Sequence, residues 1–252
     1  MLKARIIPTL LYKDHGLVKG IGFDSWRRVG TALPAIKVYC MREVDELILV
    51  DIAATREGRS VDIAEIDRLA DDCFMPLTVG GGVRTVEDFR RLLRAGADKV
   101  AINSAAVSVP GLISEAATFA GSQCVVVSMD VKRRSDGCCE VWTHSGARAT
   151  GLEAVAWARE AETRGAGEIL LTSIDRDGTM NGYDFDLIRD VAHAVSIPVI
   201  ASGGAGNYEH MRMAVQEAGA SAVAAASIFH FTQHTPLEAK SYLRGHGVPV
   251  RL

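Results

Sequence analysis

The sequence predicts a closed eight-stranded α/β barrel, a (β/α)8 TIM barrel in which one half-barrel is written twice. Three observations predict it. Short apolar runs alternate with longer amphipathic segments eight times in 252 residues. Several runs are apolar at nearly every position, as in Leu47-Ile48-Leu49-Val50, which suits a parallel strand buried on both faces. The chain also repeats itself at a nearly constant offset.

The strands are read at 5–11, 46–51, 76–80, 98–102, 124–130, 168–173, 197–202 and 221–225. The connecting segments read as helices. The one from Val86 opens on Thr85, with Glu87 and Asp88 in its first turn. There the hydroxyl accepts an orphan amide and the acids suit the positive end of the helix dipole. Met75-Pro76-Leu77-Thr78-Val79-Gly80-Gly81-Gly82 falls on Ile197-Pro198-Val199-Ile200-Ala201-Ser202-Gly203-Gly204 at an offset of 122. Glu46 to Asp51 falls on Glu168 to Ser173 at the same offset, and Ala95 to Ala101 on Ala218 to Ala224 at 123. Ile6 to Leu11 falls on Val125 to Asp130 at 119. One domain, 1–252, with half-barrels of about 1–122 and 123–252, accounts for this. An open doubly wound sheet is the alternative, and the recurrence of four strand-plus-helix units, each twice, favours closure.

Composition bounds the function. The chain is 48% hydrophobic and 23% charged, with net charge −3 from 28 basic and 31 acidic residues. That balance argues against nucleic acid or a membrane surface as partner. No apolar run reaches the roughly 18 residues of a membrane span. Met1 to Pro8 reads as a first strand rather than a signal peptide, so a cytoplasmic protein is expected. The five cysteines, Cys40, Cys73, Cys124, Cys138 and Cys139, match neither zinc nor disulfide spacing, and the Cys138-Cys139 pair reads as part of a turn. His230 and His234 have helical metal-ligand spacing but lack a following glutamate and an evident third ligand.

Barrel active sites lie at the C-terminal strand ends. Strand three ends in Gly80-Gly81-Gly82 and strand seven in Ser202-Gly203-Gly204. Such glycines let backbone amides approach an anion, although tight turns alone would also use them. Strand four ends in Asn103-Ser104 and strand eight in Ala226-Ser227, each with a hydroxyl at a helix start. Two phosphate corners facing each other predict a long substrate with a phosphate at each end, and Thr172 and Gly178 lie between them. Asp130, Asp51 and Asp177 follow strands five, two and six and are candidates for acid/base work; the plain alternative for each is a salt bridge. The segment from Lys13 to about Gly30 is long for a βα loop and reads as a lid that carries Lys19 towards substrate. At the opposite face Arg5, Glu46, Lys99 and Glu168 sit at strand starts, where alternating charges would close the floor or gate it.

These motifs resemble the cyclase subunits of imidazole glycerol phosphate synthase. The resemblance runs almost end to end. It includes Ile102-Asn103-Ser104-Ala105-Ala106, Gly121-Ser122-Gln123-Cys124, Asp175-Arg176-Asp177-Gly178-Thr179, Ser202-Gly203-Gly204-Ala205-Gly206 and the ending Gly247-Val248-Pro249-Val250-Arg251-Leu252. It implies a heterodimer with a glutaminase subunit docked on the barrel bottom. Ammonia would pass Arg5, Glu46, Lys99 and Glu168 into the barrel, and Asp98 would face the partner. At the mouth ammonia would attack a ribulosyl bisphosphate, with no metal or organic cofactor.

One position departs from the pattern. The family pairs an aspartate ending strand one with another ending strand five. Asp130 matches the second, but Leu11 holds the first, and the repeat makes Leu11 the mate of Asp130. Losing one member of an acid/base pair commonly costs about 10²–10⁴ in rate. Leu10-Leu11-Tyr12-Lys13-Asp14, the following Gly16-Leu17-Val18-Lys19, and the lid stretch Phe23 to Arg28 resemble a side branch instead. That branch is linked to ammonia delivery for amidination of nucleotide-linked sugars in surface polysaccharides. A scaffold without chemistry is the third reading; Asp130 and the full phosphate corners argue against it.

Overall fold

The computed structural model describes residues 3–251. Met1 and Leu2 of the first-strand stretch, and Leu252 of the closing motif, lie outside those residues. In chain order, β1 (Arg5–Lys13) is followed by β2 (Gly16–Ile21), β3 (Asp24–Gly30) and α1 (Ala32–Met41). Next come β4 (Leu47–Asp51), α2 (Ile63–Ala70), β5 (Leu77–Gly80), α3 (Val86–Arg94), β6 (Lys99–Ile102), α4 (Ser104–Ser108) and α5 (Gly111–Ala120). The second half runs β7 (Val125–Arg133), β8 (Cys139–Thr143), β9 (Arg148–Glu153), α6 (Ala154–Thr163), β10 (Glu168–Ser173) and α7 (Phe185–Ala194). It ends with β11 (Val199–Ser202), α8 (Tyr208–Gln216), β12 (Ala222–Ala225), α9 (Ser227–Phe231) and α10 (Pro236–Gly245).

Eight strands close the barrel in the order β1, β4, β5, β6, β7, β10, β11, β12, and β12 pairs back onto β1. All eight pairings are parallel. The chain is therefore an α/β TIM barrel. Strand alternation sorts the side chains. Ile6, Leu47, Leu49, Val125 and Val127 point outward into the core under the helices. Ile7, Ile48, Ala101, Val126 and Leu170 point inward and form a separate apolar layer inside the barrel. α3 opens on a closed capping box: Thr85 Oγ1 accepts the Asp88 amide at 3.1 Å, and the Asp88 carboxylate accepts the Thr85 amide at 3.1 Å. α10 is pinned to the floor by a buried ion pair, Lys240 Nζ to Asp45 at 2.9 Å. Asp45 in turn accepts the Ile6 amide at 2.8 Å.

The structure corrects two expectations. The segment expected as a long loop from Lys13 to about Gly30 is an antiparallel extension of the barrel, β1 to β2 to β3. Its counterpart follows β7, where β8 and β9 form a second extension. The turn read around both cysteines holds Cys138 alone, because Cys139 already pairs with Arg133 in the β7–β8 ladder. Gly16, Gly20 and Gly22 give the first segment a loop-like composition, yet β2 is buried at five of its six positions and β3 forms the exposed outer strand. Among the described residues no helix is long and apolar enough to cross a membrane.

Candidate functional site

Period-two alternation also fills the barrel from floor to mouth. Positions 5, 7, 9 and 11 of β1 all face inward, as do 126, 128 and 130 of β7 and 168, 170 and 172 along β10. The lowest tier is charged. Arg5 Nη1 lies 2.7 Å from Glu46 and its Nη2 bonds Glu168. Lys99 Nζ lies 3.0 Å from Glu46 and 2.9 Å from Glu168. The four side chains form a closed ring of alternating sign, with both glutamates buried. Beside it, the exposed Asp98 turns its carboxylate onto the Leu77 amide at 2.8 Å.

The top tier opens into one cavity. Asp130, Asp177, Asp51, Lys19, Asn103, Ser104, Thr172, Gly178 and both glycine corners line it, with Ala226 and Ser227. Leu11 also lines it, between Val18 and Val50 in register. Thr9, Thr55, Ser145, Phe23 and Trp26 also belong to the wall. Among the last five, Thr9 was recoverable from the inward period of β1. The others arrive through ribbons or loops that sequence periodicity does not place.

The acids differ in their surroundings. Asp130 is buried, and burial pushes its carboxyl up to about 7; the neighbouring Asp177 charge adds to this, and the Asn103 hydrogen bond opposes it. Asn103 Nδ2 donates to Asp130 Oδ2 and to the Ser128 carbonyl, both at 3.0 Å. Asp177 is pushed up by burial, against the pull of Lys19 and the Phe23 amide. Lys19 is 2% exposed, and its Nζ lies 2.8 Å from both Asp177 oxygens. Asp51 is engaged by donors from its own loop. It receives Arg59 Nη1 at 2.6 Å and the amides of Ala53 and Ala54 at 3.0 and 3.1 Å. Its lone pairs are largely committed to organising the loop after β4. Asp14 sits in the exposed β1–β2 turn at φ 48°, outside the cavity wall.

The two glycine corners obey the same geometry. Gly81 has φ 113°, and a Cβ there would lie 2.4 Å from the Asp51 carbonyl. Gly203 has φ 88°, and a Cβ there would lie 2.7 Å from the Ser173 carbonyl. Asp51 and Ser173 are themselves repeat mates. Asn103 and Ala226, the residues that open the short helices α4 and α9, share unusual dihedrals of −113°, −89° and −127°, −64°. The hydroxyls are used unequally. Ser104 Oγ accepts the His144 amide at 2.9 Å, while the buried Ser227 Oγ finds no partner among the described residues. His234 bonds Thr232 at 2.8 Å and packs edge-on against Tyr208, while burial and the nearby Lys19 charge push the His230 imidazole below its ordinary range, opposed by a hydrogen bond to the Thr9 backbone.

Comparison with known proteins agrees with this architecture. Residues 5–235 match the family described as "Histidine biosynthesis protein". The chain is 55% identical over 251 residues to a protein of Hyphomonas neptunium described as "Imidazole glycerol phosphate synthase subunit HisF". The match covers 100% of this chain and 99% of that relative. A charged floor, an apolar middle and an acid-bearing mouth thus sit on a barrel whose sequence matches that relative from end to end, and the chain belongs to the HisF-type family of histidine-biosynthesis barrels.

Proposed function

We propose that this chain is the ammonia-using synthase subunit of an imidazole glycerol phosphate synthase-type glutamine amidotransferase. The observation that carries it is the mouth itself. Two repeat-related glycine corners flank a buried carboxyl, Asp130, above a closed ring of charges. The corners hold the phosphates of a bisphosphate substrate through backbone amides and the Ser104 and Ser227 hydroxyls. The unpartnered Ser227 Oγ has a donor to give. Asp130, poised near neutrality, takes and returns protons as ammonia adds and the ring closes. Lys19, fixed on Asp177, places a positive charge beside the substrate. Glutaminase docks at the floor near Asp98, and ammonia enters past Arg5, Glu46, Lys99 and Glu168.

A second reading is favoured by one observation. Leu11 stands where the repeat would place a mate for Asp130, and it brings an apolar wall to the mouth. With one acid/base residue left, ammonia delivery for amidination of a nucleotide-linked sugar needs only the floor and the conduit. An ammonia-driven cyclase assay on the ribulosyl bisphosphate decides between them. Normal turnover by the wild type sinks the second reading. No turnover, with a gain of about 10²-fold or more in Leu11→Asp, sinks the first.

A further inference from the structure

The turn after β8 holds three successive residues at the mouth in an unfavourable backbone region. His144, Ser145 and Gly146 follow one another in the left-handed region, at φ 55°, 54° and 74°. That conformation is unfavourable for residues with a Cβ and persists where surroundings over-determine it. Four contacts do so here. Arg56 Nε donates to the His144 carbonyl at 2.9 Å, and Arg56 Nη2 donates to the Ser145 carbonyl at 2.7 Å. Ser104 Oγ accepts the His144 amide at 2.9 Å, and Ser145 Oγ donates to the Ile52 carbonyl at 2.8 Å.

The tip of the β2–β3 ribbon closes on this turn. A Cβ on Gly146 would stand 3.0 Å from the Phe23 ring and 3.4 Å from Ile174. Next to Phe23, the Gly22 amide donates to the Asp177 carbonyl at 2.9 Å. The same ribbon carries Lys19 to the Asp177 carboxylate. Arg56 is exposed, comes from the loop after β4 and lies outside the cavity wall. Its fork reaches two successive carbonyls, a geometry that suits a planar guanidinium and not an ammonium.

We propose that Arg56 is a positioning residue for the lid. It holds the turn at 144–146 as the seat on which Phe23 closes, and through that seat it sets how completely Lys19 is delivered to Asp177. This rests on the mouth being the reacting site, but the seat itself is measurable without substrate.

Amide hydrogen exchange on the full chain tests it, with Arg56→Ala, Arg56→Lys and, as a surface control, Arg68→Ala. In Arg56→Ala, exchange rises at least about tenfold both at 144–147 and at the Gly22 and Phe23 amides. The Leu11 to Val18 pairing and β10 keep wild-type rates, and Arg56→Lys recovers part of the protection. Faster exchange at the turn alone, or at neither place, overturns the proposal. If exchange rises everywhere in Arg56→Ala, Phe23→Ala decides: selective loss of protection at Gly22 supports the seat, and no change there overturns it. In ammonia-driven turnover, Arg56→Ala lowers kcat/KM about tenfold with partial rescue by Arg56→Lys and an unchanged pH profile. A wild type without turnover counts against the functional reading, while the exchange result still decides the seat.

Discussion

Lys19 and Asp177 stand 158 residues apart in the chain, yet Lys19 Nζ lies 2.8 Å from both oxygens of the Asp177 carboxylate. The lysine comes from β2 and the aspartate from the loop after β10, so the pair fastens a ribbon of the first half across the mouth of the second. Replacing Lys19 by Met leaves a buried carboxylate without its cation, which costs about 3 kcal/mol or more. Asp177, already raised, then rises further. A carboxyl with a raised folded-state pKa loses stability as pH climbs above its unfolded value. Denaturant melts of Lys19→Met therefore show a deficit that is small near pH 4 and grows towards pH 8. A constant deficit at both pH values would mean that the lost energy is packing alone.

Asp130 gives the same sign with no cation involved. Its folded pKa of about 7 lies about three pH units above the 3.8 it starts from. Below pH 4 both states hold the proton and the difference vanishes. Between pH 4 and 7 the unfolded chain releases it first, so wild-type stability falls, by about 4 kcal/mol at most. Asp130→Asn keeps an acceptor for Asn103 and escapes this loss. It should match wild type at pH 4 and exceed it at pH 8 in chemical denaturation, while ammonia-driven turnover drops about 10²-fold or more. Equal stability at both pH values would contradict the buried, neutral-leaning carboxyl.

Gly81 and Gly203 offer a paired test of the corners. Alanine at Gly81 meets the Asp51 carbonyl at 2.4 Å and also takes an unfavourable φ of 113°. Alanine at Gly203 meets the Ser173 carbonyl at 2.7 Å with φ 88°. Both lose stability, on the order of 1–3 kcal/mol from overpacking and backbone strain, and Gly81→Ala loses more. Thermal unfolding of the two variants side by side measures this. A neutral Gly81→Ala would show that the corner can widen freely.

The proposed passage of ammonia through the floor ring is tested by measuring transport and chemistry separately. In Lys99→Ala both glutamates keep Arg5 as their only partner of the ring. With a glutaminase partner present, glutamine-driven product formation falls several-fold and ammonia-driven formation is unchanged. Equal loss of both activities would reject passage through the ring.

Much of this is legible in the sequence. Ile6 and Ile7, or Leu47 and Ile48, divide between the outer and inner cores because a strand turns successive side chains to opposite faces. The same rule stacks Arg5 below Ile7, Thr9 and Leu11, so the charged floor and the mouth residues follow from strand starts and ends. Sequence also exposed the inequality of Leu11 and Asp130, since the repeat aligns them. Sequence did not show that Lys13 to Gly30 is a paired ribbon, because its closely spaced glycines look like a loop until β2 lies against β1. It placed Asp51 among the acids without revealing that Arg59 and two backbone amides occupy it.

The identities at each strand end, and their height in the barrel, come from a local period that survives in the bare sequence. Which of those residues meet across the mouth does not. Lys19 finds Asp177, and Arg56 grips the turn at His144 and Ser145, only when ribbons from opposite halves fold over the same opening. Burial there turns Asp130 from an ordinary acid into one that keeps its proton near neutrality. Contacts between distant segments, and the desolvation they cause, belong to the closed barrel, because no short stretch of chain contains both partners.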